Sequence, residues 1–179
     1  MLKKLTLGIS LIFVAFNISG LQAQETKIGL VNPQIIINAM PEYAAAELRL
    51  QNFRNKELQK LEEQGRLLEQ AIEIYEQKIE VISASARQAE QIKLSKMDST
   101  FQQSQRLAQD AIQRRSQELY APLQEQIGAS INQVAQEMGL SYVMNTRTSN
   151  NDATVLYVSN EYARKFNITN AVMNKLGIN

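Results

Sequence analysis

The sequence predicts an α+β fold that is mostly helical, with a small β body and a long antiparallel helical hairpin (a coiled-coil arm) projecting from it. The 56 residues from Arg66 to Ala121 contain neither glycine nor proline. Apolar residues before and within this stretch recur at alternating intervals of three and four, which is typical of a helical coiled structure. Short apolar segments that resemble β-strands lie on both sides of it. We therefore expect residues 42–138 to form the arm, and residues 24–41 and 139–179 to form a β-rich body through which chains associate.

The N-terminus has the pattern of a secretory signal peptide. Lys3 and Lys4 precede an apolar run at residues 5–16, and a short polar stretch then ends at Ala23. Because a charged start followed by an apolar core is typical of such peptides, we predict cleavage after Ala23 and export. The apolar run is shorter than the roughly 20 residues that span a bilayer, which disfavours the alternative of an uncleaved membrane anchor.

Two short elements are predicted before the arm. The segment Lys27–Asn32 (KIGLVN) predicts a buried strand that Pro33 ends. Residues 34–40 (QIIINAM) predict one short helix. It ends at Pro41, because the residue before a proline avoids the α conformation. Pro41 suits the first turn of the next helix, where its missing N–H costs nothing.

The arm is predicted to be two helices of similar length folded back on each other. Residues 83–89 (SASARQA) are small or polar and lie near the midpoint of the span, which predicts a tip near residues 83–92. Because no glycine or proline marks this turn, one unbroken helix is the alternative. The first apolar ladder is Leu58, Leu61, Gly65, Leu68, Ile72, Tyr75, Ile79, Ile82, Ala86 and Ala89, and the second is Leu94, Met97, Phe101, Ala108, Ile112, Leu119, Leu123, Ile127, Val134 and Met138.

Pro122 lies inside the predicted second helix. A proline in a helix interior costs about 3 kcal/mol, because it lacks a donor and clashes with the preceding turn. Two interpretations are open here. A kink or break near residue 122 separates an outer arm from a firmer base, or Pro122 simply begins a new helical segment.

The C-terminal part predicts a β-hairpin. Gly139 suits the end of the arm. The apolar segments Leu140–Asn145 and Ala153–Val158 predict two strands joined by a polar loop. Together with the first strand they would form a compact body.

The chain then predicts a short final helix over residues 168–177. Asn167 or Thr169 would cap its start, and Gly177 would end it.

The composition disfavours an enzyme. The chain has no histidine and no cysteine, which removes the usual general base near neutral pH, the thiol nucleophile and nearly all zinc sites. The serines lack the patterns that place a base beside a nucleophile. The carboxylates of the arm alternate with lysine and arginine beside the apolar ladder, as on the solvated flanks of a coiled coil. We therefore predict a non-enzymatic protein without a cofactor.

Charge also disfavours a nucleic-acid-binding protein. Without residues 1–23 the chain has 17 basic and 18 acidic residues, and residues 42–137 carry 12 basic and 15 acidic ones. A nucleic-acid-binding protein usually shows a basic excess on one face. A thin arm without disulfides packs little, so we expect the chain to associate with copies of itself to bury enough apolar surface.

Several segments together resemble the Skp/OmpH family of periplasmic chaperones, and their order and spacing carry the resemblance. They are the signal peptide, the opening strand Lys27–Asn32, the entry Met40-Pro-Glu-Tyr43 into a long Gln/Glu/Lys-rich helix, and the closing segments Gly139–Val143, Val155–Val158 and Ile168-Thr169. The resemblance covers essentially all of the chain after residue 23.

The resemblance implies a homotrimer in which the strands form a central body and three arms enclose a cavity. That cavity would hold an unfolded outer-membrane β-barrel protein and prevent its aggregation without ATP. A transient contact with the membrane surface is left open as a further interaction. Family members are often strongly basic, whereas this chain is near neutral. Apolar contacts along the arm are therefore expected to contribute more.

Two groups of residues are candidates for these roles. The arm seam, with possible client contact, comprises Leu68, Ile72, Tyr75, Ile79, Met97 and Phe101. The oligomerisation body comprises Ile28, Leu30, Val31, Val143, Val155, Leu156 and Val158.

The alternative function is a non-catalytic structural or adaptor coiled coil of the cell envelope. A chaperone predicts loosely packed, mobile arms that bind unfolded polypeptide, whereas an adaptor predicts rigid arms and one folded partner. Small residues at or near seam positions, such as Gly65, Ala86 and Ser104, favour loose packing and hence the chaperone.

Overall fold

The computed structural model describes residues 26–148 and 152–178, so the predicted signal peptide and the middle of the polar loop lie outside the described residues. The elements follow each other as β1 (Ile28–Val31), α1 (Pro33–Ala39), α2 (Pro41–Lys78), α3 (Ala84–Glu137), β2 (Tyr142–Asn145), α4 (Asn160–Phe166) and α5 (Thr169–Lys175). The chain is mostly helical with a small two-stranded sheet, which confirms the predicted mixture of helix and strand.

The helices α2 and α3 form the predicted antiparallel hairpin, and the alternative of one unbroken helix is wrong. The rings of Tyr43 in α2 and Tyr120 in α3 lie 5.7 Å apart near the bottom of the hairpin. A Cβ atom on Gly65 would lie 3.5 Å from Phe101 across the seam farther out. The two helices therefore stay in contact along their length.

The hairpin tip lies earlier in the chain than predicted. Helix α2 ends at Lys78 and α3 begins at Ala84, so residues 79–83 form the turn. The Ser83 hydroxyl accepts a hydrogen bond from the Ala86 N–H at 3.3 Å and caps α3. The small residues after Ser83 thus begin a helix rather than forming the turn, because serine is a strong N-cap.

Helix α3 runs through Pro122 without interruption, so both a break and a new helical segment at this residue are wrong, whereas a kink there stays a prediction. The proline ring is exposed, whereas its neighbour Leu123 is buried. A proline on the solvent side leaves the unpaired carbonyl one turn earlier accessible to water, which lowers the cost of the missing hydrogen bond.

The two strands come from opposite ends of the described chain and pair in parallel. Ile28 lies beside Tyr142 and Val31 beside Asn145. Parallel strands need a long crossover connection, and here the whole helical hairpin is that connection. Gly29 permits the close approach at this point, because a Cβ atom there would lie 2.6 Å from the Leu140 side chain.

The predicted second strand of the C-terminal hairpin, Ala153–Val158, does not form within this chain. Antiparallel pairing stops at an isolated bridge between Arg147 and Ala153. The Thr154 N–H still donates to the Thr146 carbonyl at 3.0 Å. Residues 154–158 then continue without pairing to any described strand. Their apolar character indicates strand preference, but strand preference alone does not place a partner strand beside them.

Short helices complete the body. Asn32 caps α1 by accepting from the backbone N–H groups of Gln34 and Ile35, and Pro41 is at the first turn of α2 as predicted. Helix α5 confirms the predicted final helix. The Asn167 side chain accepts from the Thr169 N–H, and α5 is followed by Gly177 with a φ of 72°.

One hydrophobic core joins the strands, α1, α5 and the lower parts of the two long helices. It consists of Val31, Ile36, Met40, Ala46, Leu123, Ile127, Val134, Ile168 and Val172. We call the described residues 26–50 and 108–178 the base, and residues 51–107 the outer arm. The base contains every member of this core.

Candidate functional site

The outer arm contains no buried side chain: each of residues 51–107 is exposed or half-buried. A hairpin of two helices covers each seam residue from one side only, so its apolar groups stay partly open to water. In the base, by contrast, α1 and α5 add further layers over the same two helices. The structure therefore combines a packed base with an outer arm that is held by a single seam.

The predicted seam residues lie along this contact. Leu68, Tyr75, Ile79, Met97 and Phe101 are all half-buried. Ile72 is 41 % exposed and lies at the edge of the seam. Three members of the first predicted ladder are exposed, namely Leu58, Ile72 and Ala89. Leu58 leaves the contact because a straight helix turns slowly away from an interval of 3.5 residues. Ala89 lies in α3, beyond the turn that interrupts the ladder.

The seam also contains a polar atom without a partner. The Tyr75 hydroxyl is buried and makes no hydrogen bond within the described part of the chain. An unsatisfied buried hydroxyl costs about 1–3 kcal/mol. The contact between α2 and α3 is therefore weakened near the tip.

An apolar groove runs along one side of the outer arm. Its volume is about 270 Å³. We call it the arm groove, and its lining residues are Gln64, Leu67, Leu68, Lys93, Lys96, Met97, Thr100 and Phe101. Two of the predicted seam residues of α3 and one of α2 thus lie in one groove, together with Leu67, which the sequence analysis did not identify. Leu67 was missed because the predicted apolar ladder passes through its neighbour Leu68 and does not include Leu67.

The lower end of the hairpin is fixed by aromatic and polar contacts. The Tyr120 hydroxyl of α3 donates to the Glu47 carboxylate of α2, and the Tyr43 ring packs against Tyr120. Partial burial and the neighbouring Glu47 carboxylate raise the pKa of Tyr120 to about 12. The hydroxyl therefore keeps its proton, and hence its donor role, at any physiological pH.

Charged groups on the arm pair within their own helices. The Arg66 guanidinium donates two hydrogen bonds to the Glu63 carboxylate, with distances of 2.6 and 2.9 Å. This donation lowers the pKa of Glu63. No group of three or more acidic side chains in the described ranges could hold a metal ion. The charged side chains of the arm thus form solvated flanks of the two helices.

The predicted body residues fall into two groups. Leu30 and Val31 are buried in the core, and Ile28 and Val143 are half-buried in the sheet. Val155 and Val158 are half-buried, whereas Leu156 is 92 % exposed and its neighbour Tyr157 is 84 % exposed. The unpaired segment 154–158 therefore presents two large apolar side chains to solvent.

The two edges of the small sheet differ. The Tyr162 hydroxyl bonds both the N–H and the carbonyl of Ile28, and the Ile168 N–H donates to the Leu30 carbonyl. The outer edge of β1 is thus covered by the C-terminal helices. The other edge of the sheet belongs to β2, whose residues Tyr142 and Met144 are exposed.

Helix α4, which supplies Tyr162, was missed by the sequence analysis. The Ser159 hydroxyl caps it by accepting from the Tyr162 N–H at 3.2 Å. Glu161 in its first turn and Arg164 and Lys165 in its last turn are favourable for the helix dipole. A serine followed by Asn-Glu-Tyr was the available signal.

No helix in the described ranges is long and apolar enough to cross a membrane.

Comparisons with known proteins agree with this architecture. The family model of OmpH-like outer membrane proteins matches residues 27–176. A crystal structure from Caulobacter crescentus CB15, provisionally described as an outer membrane chaperone (OmpH-like), superimposes with a TM-score of 0.67. The two sequences are 16 % identical, and the match covers 84 % of this chain and 83 % of the other, so it shows a shared fold. No curated protein matches the chain.

The family match spans β1, both long helices, β2 and the two C-terminal helices, which is the whole architecture described above. The chain therefore belongs to the family of OmpH-like outer membrane proteins.

Proposed function

We propose that this protein is an ATP-independent periplasmic holdase chaperone that binds unfolded outer-membrane β-barrel proteins between its helical arms. The observation that carries this proposal is the absence of any buried side chain in residues 51–107. An arm of this kind offers apolar surface along its length while it remains soluble through its charged flanks. Such surface suits a client that is held by many weak contacts and released without an energy source.

The family adds weight to a chaperone role. The matching Caulobacter crescentus structure is provisionally described as an outer membrane chaperone. The family model spans residues 27–176, which include the arm as well as the base.

We further propose that three copies assemble through the base. Segment 154–158 has the sequence of a strand but no partner strand within the described chain, and its Leu156 and Tyr157 are exposed. The edge of β2 is the uncovered edge of the sheet. A strand that lacks a partner and an open sheet edge are complementary, because each can satisfy the backbone groups of the other between chains.

A trimer would also place three outer arms around one space. A client held there would contact several arms at once, and each further contact would then be effectively intramolecular. Several weak contacts can thus together keep the client bound.

One observation favours the alternative, an envelope adaptor. Leu67 and Ile74 are exposed seven residues apart on α2. A stripe of this kind could pack against one folded helical partner, because residues seven apart share a helix face. The two functions differ in whether the client is unfolded and whether binding depends on one fixed geometry.

The test uses the chain without residues 1–23 and an outer-membrane β-barrel protein diluted from urea. Light scattering should give the mass of a trimer, which increases by one client mass while the client stays in solution without ATP. The Leu156→Asp/Tyr157→Asp variant should be monomeric and should lose most of this activity. A wild-type chain of unchanged mass beside precipitated client would contradict the chaperone proposal.

A further inference from the structure

The arm groove lies on one distinct face of the outer arm. Its floor is formed by Met97, Leu68 and the Phe101 ring. The Phe101 ring lies beside Gly65 of α2, where a Cβ atom would make an ordinary contact of 3.5 Å with the ring. The groove volume of about 270 Å³ lies at the lower end of the roughly 300–1,000 Å³ of small-molecule sites, which leaves room for a large side chain.

The rim of the arm groove is basic and apolar. Lys93 and Lys96 line it from α3, and Leu67 lines it from α2. Residues seven apart on a helix differ by only about 20° in direction. The same face of α2 therefore also carries Lys60 and Ile74, one heptad before and after Leu67.

Leu107 continues the same face of α3, seven residues beyond Thr100. It is exposed, as is Ile74. The acids near this face are engaged by basic neighbours: Glu57 with Lys60, Glu63 with Arg66, and Glu90 with Lys93 at a looser 3.9 Å. Lysine ammonium groups and apolar side chains thus alternate along this side of the outer arm.

The opposite flank of α2 is acidic. At about 100° per residue, Leu67 points to one side of the seam residue Leu68, and Glu69 points to the other. Three further carboxylates of α2 share the side of Glu69: Glu62, Glu73 and Glu76. The outer arm therefore has two unlike faces, although its total charge is close to neutral.

We propose that the arm groove binds extended, unfolded polypeptide at points where a large apolar side chain stands beside an aspartate or glutamate. The inference rests on the proposed chaperone function and adds which client segments the arm selects. The apolar side chain would enter between Leu67, Met97 and Phe101. The neighbouring carboxylate would reach the ammonium groups of Lys93 or Lys96 at the rim.

Charge complementarity favours this occupant over other polypeptide segments. A basic segment would be repelled by the lysines of the rim, and the acidic flank that could attract it lies on the other side of α2. A purely apolar segment would fill the groove but leave the lysines without a partner. Selection by surface charge is modest at each contact, but it would be repeated along a client that contacts several arms.

Peptide binding tests the inference. Three fluorescent peptides of equal length would carry leucine or phenylalanine next to glutamate, glutamine or lysine, and their binding to the chain without residues 1–23 would be followed by anisotropy. We expect the glutamate peptide to bind most tightly and the lysine peptide most weakly, by about tenfold at low salt. The difference should shrink in about 0.5 M salt because of screening. Equal binding of the three peptides would overturn the proposal.

Paired variants locate the site. Leu67, in the groove, is 45 % exposed, and Leu58, on the opposite flank, is 58 % exposed. We expect Leu67→Gln to weaken binding of the glutamate peptide about three- to tenfold, through the lost apolar contact, and Leu58→Gln to leave it within about twofold. Equal loss in both variants would overturn the assignment.

A second pair tests charge. The Lys93→Gln/Lys96→Gln variant should reduce the preference for glutamate over glutamine, whereas Arg49→Gln/Arg106→Gln, which removes two exposed charges outside the groove, should preserve it. Binding to vesicles that contain anionic lipid is measured in parallel. If the lysine variant loses vesicle binding but keeps the peptide preference, this face binds lipid and the proposal is wrong.

The outcome is separable from that of the proposed function. If all these variants bind the peptides as the wild-type chain does while the unfolded client still stays soluble, the groove assignment fails and the chaperone function stands. If the wild-type chain binds no peptide and the client precipitates, the proposed function fails as well.

Discussion

The base and the outer arm are built from the same two helices, yet they differ in how these helices are covered. In the base, Ile36 and Leu50 are almost completely buried, as are Ile168 and Val172. In the outer arm no residue from 51 to 107 is buried. The two long helices alone therefore do not determine how well a region is packed. In the base, α1 and α5 pack on the hairpin and close its core. The outer arm has no such covering helices, which leaves it open to other polypeptides.

The largest expected effect is on the stability of the base. The variant Ile36→Ala should lower the free energy of unfolding by about 2–5 kcal/mol, because it leaves a cavity in a closed core. The same truncation of half-buried Leu68 in the outer arm should cost less than about 1.5 kcal/mol. Urea unfolding followed by circular dichroism, at one protein concentration, measures both. Equal losses would contradict the difference between the regions.

Two tyrosines should respond in opposite directions to loss of the hydroxyl. Tyr120→Phe removes the donor to Glu47 in the base and should cost about 1 kcal/mol. Tyr75→Phe removes the unpartnered hydroxyl of the outer arm and should stabilise the seam by up to about 1 kcal/mol. The measurement is the shift in thermal midpoint of each variant. A loss of stability in Tyr75→Phe would mean that its hydroxyl has a partner in solution.

Two glycines sharpen the comparison because each lies inside a long helix. Gly65→Ala in the outer arm fits beside Phe101, and Gly128→Ala in the base meets no atom within 4 Å. Each should favour helix by about 0.5–1 kcal/mol. We expect Gly128→Ala to raise the unfolding midpoint of the base. Gly65→Ala should mainly slow amide exchange in the outer arm, since a weakly covered region opens locally.

The smallest expected effect is a pH dependence of the base. Lys175 donates to Glu137 at 2.7 Å and lowers the pKa of that carboxyl below its ordinary value of 4.5. A lowered folded-state pKa gives stability that is present above the ordinary value and is lost as the pH falls through the folded value. The thermal midpoint of the wild-type chain should therefore fall slightly more below pH 4.5 than that of Glu137→Gln. Identical profiles would show that this exposed pair contributes nothing.

The sequence predicted the helical elements better than their boundaries. A long stretch without glycine or proline indicated α2 and α3, because nothing in it opposes helix. The tip was placed several residues too late, because the cap at Ser83 begins α3 within the small residues that suggested a turn. Pro122 was expected to break α3 or to begin a new segment, but the helix continues because the exposed position tolerates the lost hydrogen bond.

The pairing of strands and helices was harder to predict than the position of each segment in the sequence. The strand preference of residues 153–158 was visible, but sequence does not say whether the partner strand belongs to the same chain. The seam was visible through Leu68 and Phe101. The arm groove was not, because it depends on how the two helices are rotated against each other and so brings Leu67 beside Lys93 and Lys96.

Amide hydrogen exchange of the chain without residues 1–23 tests the difference between base and outer arm most directly. We predict fast exchange in residues 51–107 and slow exchange in the helices and strands of the base, because opening the outer arm exposes little buried surface. Adding an unfolded outer-membrane β-barrel protein should slow exchange in the outer arm. Equal protection of both regions in the free chain, with no change on adding the client, would contradict the account.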